Sequence, residues 1–455
     1  MIFSRSQPAG GDRQNAAAER RSFGGWSREP NSLPKPAGMP GFAVSATDDI
    51  GDAAQGLSGP DSAARQARLA LADSLSASQP VTHRERFAGR FETLAALIAA
   101  IEQQRAHVVL YGERGIGKTS LIHVFAETAR DAQYLVVYGS CGVEAHFDEM
   151  FRTFAAQIPL LYHHSISPTA DEGEHRRSFG DLLGGNAVDP RELAELFVQI
   201  VGTRVIIVLD EYDRVADPGF RRDIAELIKN LSDRAARVQL ILTGVASNLD
   251  ELIGFTPSIR RNIVGLAVGP MSDAEMRDIL ARAEVATGLA FSPDATSLIT
   301  RMAGGSPYLV RLLGNRAAGR ALDERRMTVA VDDAIAGTEA VLAEWNSGLP
   351  RRVQAQLSRS EVRAAWPVLI AAARASGSPD GWFPAHDVAA ELPEIAPSDV
   401  AATLDGFVGG IDLFDKVDDT IGAGDAVGRE PRYRFRTQGV AQLLGLSAAL
   451  ARAGR

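Results

Sequence analysis

Gly112-Glu-Arg-Gly-Ile-Gly-Lys-Thr119 is a complete GxxxxGK[ST] pattern, set between the apolar run His107–Tyr111 and a segment of helical periodicity that begins near Lys118. A polyphosphate needs several donors converging on it. Gly112, Gly115 and Gly117 let the amides of Glu113, Arg114, Ile116 and Lys118 curl around a phosphate, and the following helix adds the partial positive charge of its N-terminus. Lys118 is placed to bridge β- and γ-phosphate oxygens and Thr119 to give its hydroxyl to Mg2+, with Ser120 next in the loop. The chain has only four lysines, against 44 arginines, so a lysine at this position does not come from composition.

The second chemical signal is Val205-Ile-Ile-Val-Leu-Asp-Glu211. A parallel strand buried on both faces does not readily hold an acid in its interior, so the two carboxylates belong at its C-terminal end, where ligands of α/β sheets bind. Asp210 is expected to hold the Mg2+ shell and Glu211 to orient and polarise the attacking water.

Outward from these two stretches, helices alternate with short β-branched runs: a helix over Phe91–Gln103, strands at Tyr134–Tyr138, Arg204–Leu209 and Val238–Leu242, and a helix over Phe147–Ile158. Ser165–Val188 reads as an extended loop. Asp189-Pro190 and Asp217-Pro218 are cap-plus-proline starts of two further helices. Beyond Pro270 only helices are evident to about Leu357, with a capping box at Ser272/Glu275. Helices over Glu361–Ala375, Pro384–Leu392 and Ser398–Val408 then lead to strand-like runs at Leu413–Val417 and Arg432–Arg436, with Gly422–Gly428 as a loose tip between them. The predicted class is α/β, a P-loop NTPase parallel sheet with helices on both faces, a small helical lid and a C-terminal winged helix. The boundaries fall at 1–78 for a weakly structured tail, 79–269 for the core, 270–350 for the lid and 351–455 for the winged helix. The first 60 residues hold 9 Gly and 6 Pro and no sustained apolar period; a short helix over Ser62–Ser76 has only Leu69, Leu71 and Leu75 as large apolar residues.

Composition narrows the alternatives. No apolar run approaches the roughly 18 to 20 residues that span a bilayer, and Met1–Gly10 lacks the apolar core of a secretory signal, so a cytoplasmic protein without membrane contact is expected. The single Cys141 cannot form an internal disulfide, and His163, His164 and His175 lack metal-ligand spacing. A net charge of −9 offers nucleic acid no global attraction, leaving only local basic patches.

From Arg86 to roughly Val341 the chain resembles the AAA+ and STAND branch of P-loop ATPases, and most closely its origin-recognition-like members. Phe87-Ala-Gly-Arg90, followed by Leu94 and Leu97, is similar to the family's F-x-G-R motif, where that family places adenine. Leu240 to Asp250 resembles the sensor-1 strand, whose polar residue senses the γ-phosphate; Thr243, Ser247 and Asn248 all stand near that position. The resemblance implies an arginine finger for a neighbouring subunit's nucleotide in the interval of Arg260 and Arg261. It also implies a lid arginine near Gly305-Ser-Pro-Tyr308, but Tyr308 holds that place, as in STAND ATPases, with Arg311 one turn later. ATP and Mg2+ are therefore the implied cofactors, with slow hydrolysis and a nucleotide-driven switch as the implied activity.

Two partner classes follow for the tail: a protein or second copy contacted through the winged helix, or duplex DNA. The candidate recognition helix carries Asp399 and Asp405 and no Lys or Arg, poor chemistry against phosphates. From Leu357 to the end there are ten basic and thirteen acidic side chains. Arg432, Arg434 and Arg436 alternate on one strand face, where DNA phosphates or Asp412, Asp415, Asp418 and Asp419 could pair with them.

Overall fold

The computed structural model describes residues 60–165, 177–254, 257–377, 381–409, 411–418 and 431–453. Residues 1–59, His175, Asp419 and the tip Gly422–Gly428 lie outside the described residues.

Five parallel strands form the central sheet: β1 (His107–Gly112), β2 (Leu135–Ser140), β3 (Val205–Asp210), β4 (Val238–Val245) and β5 (Ile263–Ala267), in the spatial order β2-β3-β4-β1-β5. Every residue of β3 is buried. Successive side chains point to opposite faces, so Val205, Ile207 and Leu209 enter one core, with Phe151, Phe154, Phe197 and Phe220 from the helices Phe147–Ala156, Pro190–Val198 and Pro218–Asp233. Ile206 and Val208 enter the other, with Leu97, Ile101, Leu121 and Phe125 from the helices Phe91–Glu102 and Lys118–Asp131. Only a strand covered on both faces accepts such an unbroken apolar run. β5 escapes a reading by periodicity because it is an edge strand with mostly partly exposed residues.

The predicted caps are present. Asp189 accepts from the amides of Arg191 and Glu192, Asp217 from those of Gly219 and Phe220, and Ser272 and Glu275 close a reciprocal capping box. Four helices, Asp273–Thr287, Pro293–Ala303, Pro307–Asp323 and Val331–Gly348, make the lid. It is not wholly helical: Ala290–Phe291 pairs in parallel with Thr328–Val329. The segment 166–176 aside, Ser165–Val188 is not simply extended either, since Phe179–Leu182 forms a 3-10 turn that buries Phe179.

The helix expected over Ser62–Ser76 spans Pro60–Ser74 and packs into the lid, where Ala67, Leu71 and Leu75 are buried with Leu280 and Leu313. Gly314 makes that contact fit, since a Cβ there would come within 2.8 Å of Leu280 and 3.2 Å of Leu75.

After the lid, the expected helix Glu361–Ala375 is two helices, Ser360–Ala364 and Trp366–Ala375, because Pro367 can occupy only a first turn. Helices Ala385–Ala390 and Pro397–Gly406 follow. The two strand-like runs are Phe414–Asp418 and Pro431–Phe435, paired antiparallel, with Phe383–Pro384 as a third strand against the latter. The helix Val440–Ala453 joins two cores, for Leu443 and Leu444 lie in the C-terminal core and Leu446 lies in that of the lid.

Burial separates the leucines of the first helix and the residue just after it sharply. Leu75→Ala should cost about 2 to 5 kcal/mol in urea unfolding followed by circular dichroism, whereas Leu69→Ala, at a side chain 39% exposed, should cost no more than about 0.5 kcal/mol.

Candidate functional site: a phosphate loop beneath a lid

The end of β1 is sterically restricted. A Cβ on Gly112 would sit 2.3 Å from the carbonyl oxygen of Val268, just beyond β5, so no other residue fits there without parting β1 from its neighbour. The loop then passes through Gly115 (φ 76°) and Gly117 (φ 98°), a left-handed region that favours glycine. It ends at the helix Lys118–Asp131, whose N-cap, Gly117, supplies no capping side chain. The first amides of that helix are thus not satisfied by a side-chain cap and face the loop, the arrangement that receives an anion.

Lys118 folds back across the loop. Its ammonium donates to the carbonyls of Gly112 (2.9 Å) and Glu113 (2.8 Å), and burial lowers its pKa against the opposing pull of Asp213, Asp210 and Glu113. A triphosphate offers this ammonium charged acceptors in place of neutral carbonyls.

Asp210 ends β3 at 3% exposure. Its Oδ2 accepts from the hydroxyls of Thr119 (2.9 Å) and Tyr138 (2.7 Å); its Oδ1 accepts from the Thr243 hydroxyl and from the Glu211 amide (2.9 Å). Thr119 and Asp210 thus present a hydroxyl and a carboxylate side by side, hard oxygen donors that fit Mg2+ held jointly with substrate phosphates. Glu211 follows in the left-handed region (φ 53°), and its Oε2 accepts from Ser140 Oγ (3.0 Å) and from the Arg214 guanidinium (2.7 Å).

These groups line one cavity of about 590 Å3, closed by the core on one side and by Met271, Ile279, Pro307, Tyr308 and Arg311 on the other. The Phe87–Arg90 motif forms part of the wall. Arg90 lies in the left-handed region (φ 60°); its amide donates to Glu275 of the lid (2.6 Å) and its guanidinium to the Ile116 carbonyl of the phosphate loop (3.1 Å). Phe87 is buried, edge-on to Phe91. Burial lowers the pKa of the Arg311 guanidinium, as does nearby Arg86, and its side chain donates to the Ser74 carbonyl (3.1 Å).

Of the predicted site residues, those from Arg114 to Thr119, with Ser120, Asp210, Glu211, Phe87, Arg90, Thr243, Tyr308 and Arg311, meet at this cavity. Gly112 and Glu113 carry the carbonyls that hold Lys118. The three sensor-1 candidates separate: Thr243 reaches Asp210, whereas Asn248 caps the helix Leu249–Ile253 and the Ser247 amide binds Glu251, both outside the cavity lining. Arg260 pairs with Asp250, and Arg261 is exposed in the turn beyond; neither touches its own chain's cavity. Ser120 Oγ accepts from the Val81 amide (3.0 Å). Sequence reasoning missed Tyr138, Ser140, Arg214 and the wall Ser76–Val81. Only Arg214, three residues after Glu211, carried a local signal.

Strand order, phosphate loop and paired acids define a P-loop NTPase fold. More particularly, residues 86–242 match the family model for the AAA ATPase domain. No curated protein sequence matches the chain significantly. Among solved structures it is similar to Cdc6p from Pyrobaculum aerophilum (15% identity, 84% of this chain and 99% of that one, TM-score 0.43). It is likewise similar to the Aeropyrum pernix Orc1 protein in complex with DNA (17%, 85% and 97%, 0.41) and to Drosophila ORC bound to DNA (15%, 92% and 96%, 0.45).

Gly112→Ala should abolish tight binding of a fluorescent ATP analogue and lower the thermal midpoint, because the new Cβ displaces either the phosphate loop or β5. Unchanged binding would show that the close approach to Val268 is dispensable.

Proposed function

We propose that the chain binds Mg-ATP between core and lid and uses it as a conformational switch, with slow hydrolysis of the β–γ phosphoanhydride. The observation that carries this reading is the cavity in which the phosphate loop, Asp210, Glu211 and the lid residues Tyr308 and Arg311 converge. The loop binds the phosphates, Lys118 neutralises them, Thr119 would hold Mg2+ with Asp210 ordering the metal's outer shell, and Glu211 takes the proton of the attacking water. Mg2+ would supply charge neutralisation at the phosphate oxygens.

Slow turnover is supported by the state of Glu211. One of its carboxylate oxygens, Oε2, is tethered by Arg214 and Ser140, which draws the group toward those donors and opposes its turning to the attacking water. Thr243, bonded to Asp210, is the sensor-1 residue in this reading. Tyr308 and Arg311 both lie on the helix Pro307–Asp323, so loss of the γ-phosphate alters what holds that helix to the core. The helix Val440–Ala453 then carries lid movement into the C-terminal domain, which we read as a winged helix.

A protein partner suits that domain better than duplex DNA; Arg260 or Arg261, in the core, would serve as an arginine finger for the nucleotide of a second copy. Arg434 and Arg436 pair with Asp415, and Arg436 with Asp412, while the helix Pro397–Gly406 presents Asp399 and Asp405 and no basic residue. DNA affinity falling steeply with salt would reverse that preference.

Lys118→Ala should abolish tight ATP binding in calorimetry, and Glu211→Gln should keep binding but lose turnover. Normal affinity in the first variant, or normal turnover in the second, would remove the corresponding role. Arg214→Ala should raise turnover about two- to fivefold, the scale of a half-exposed ion pair, with ATP affinity unchanged; a fall in turnover would make Arg214 an aid to the reaction and not a restraint on it.

A further inference from the structure

Tyr138 takes no part in the mechanism above, yet its hydroxyl reaches the carboxylate on which that mechanism depends. It stands on β2, in register with Val208, two residues before Ser140 pairs with Asp210 itself. From there its hydroxyl donates to Asp210 Oδ2 at 2.7 Å, the same oxygen that accepts from Thr119 at 2.9 Å. The ring lies beside that of His123 in the helix Lys118–Asp131, centroids 5.0 Å apart. Against a carboxylate oxygen the phenol can only be the donor in this pair.

A carboxylate offers about four lone-pair sites, and those of Asp210 are taken by Thr119 and Tyr138 on one oxygen, by Thr243 and the Glu211 amide on the other. Three of these donors are already tied to the nucleotide reading: Thr119 as a metal ligand, Thr243 at the sensor position, and the amide of Glu211 itself. Tyr138 is the one whose sole contribution is to set the direction of Oδ2. Thr119 must turn its oxygen toward the metal while its proton still faces Asp210, and that geometry holds only if the carboxylate does not rotate.

We propose that Tyr138 is a positioning residue for the Mg2+ site, its hydroxyl locking the Asp210 carboxylate in the orientation that Thr119 and the metal require. This rests on the Mg-ATP reading above. Groups that orient metal ligands typically change metal affinity by about 10- to 100-fold when removed.

The test uses the full chain and a fluorescent ATP analogue, titrated with free Mg2+. Tyr138→Phe keeps the ring and deletes the hydroxyl; it should raise the Mg2+ midpoint for tight binding about tenfold while leaving the Mg2+-free affinity at the wild-type value. His123→Ala, which loosens the ring and spares the hydroxyl, should keep the wild-type midpoint. If Tyr138→Phe leaves the midpoint unmoved, or His123→Ala moves it equally, the positioning role is overturned while the Mg-ATP reading stands. A wild-type chain whose nucleotide affinity ignores Mg2+ overturns both.

Discussion

A buried charge has to be satisfied, and in this chain one such charge organises the site. Asp210 closes a strand whose six residues are all buried, at 3% exposure. A carboxylate so placed is costly unless hydrogen-bonded at every lone pair. Its four donors come from the helix after the phosphate loop, from β2, from β4 and from its own neighbour's amide. Meeting this one requirement brings the ends of β2, β3 and β4 into register with the start of the phosphate-binding helix. The order of the sheet matters for the same reason, because β4 separates β3 from β1 and so brings Thr243 between the acid and the loop.

The second constraint joins core to lid. Gly89 (φ 63°) and Arg90 (φ 60°) both adopt left-handed backbone, and a Cβ on Gly89 would fall 2.7 Å from Glu275. That close approach lets the Arg90 amide bind Glu275, the residue that also closes the cap of the helix Asp273–Thr287. The Arg90 side chain meanwhile holds the phosphate loop through Ile116. One residue therefore bonds to the first lid helix through its backbone and to the loop through its side chain, so a displacement of either is felt by the other.

What could be read in the sequence follows from how local its cause is. The phosphate loop, the acids at the end of β3 and the Asp-Pro caps are legible because glycine conformations, strand-end carboxylates and cap geometry act within a few residues. β5 and the strand Phe383–Pro384 were not, since their pairing is set by partners far along the chain. The helix Pro60–Ser74 was legible as a helix, but not as part of the lid, because its few large apolar residues have value only against Leu280 and Leu313. For the sensor, three polar residues within six positions looked equivalent. The structure separates them by length of strand, as β4 ends at Val245, leaving Thr243 inside it and Asn248 at the start of the next helix.

Charge neutralisation gives the C-terminal domain its character. Arg434 lies over the Trp382 ring (4.7 Å) and pairs with Asp415, and Arg436 pairs with Asp415 and Asp412. Lys416 pairs with Asp405, which also accepts from the Tyr433 hydroxyl. A strand arginine whose charge is already met by aspartates would have to give up those partners to bind phosphate. The same pairs link the two strands to each other and, through Asp405, to the helix Pro397–Gly406. The domain is joined to the preceding four-helix core through Leu446 of the helix Val440–Ala453, so the two share one packed helix.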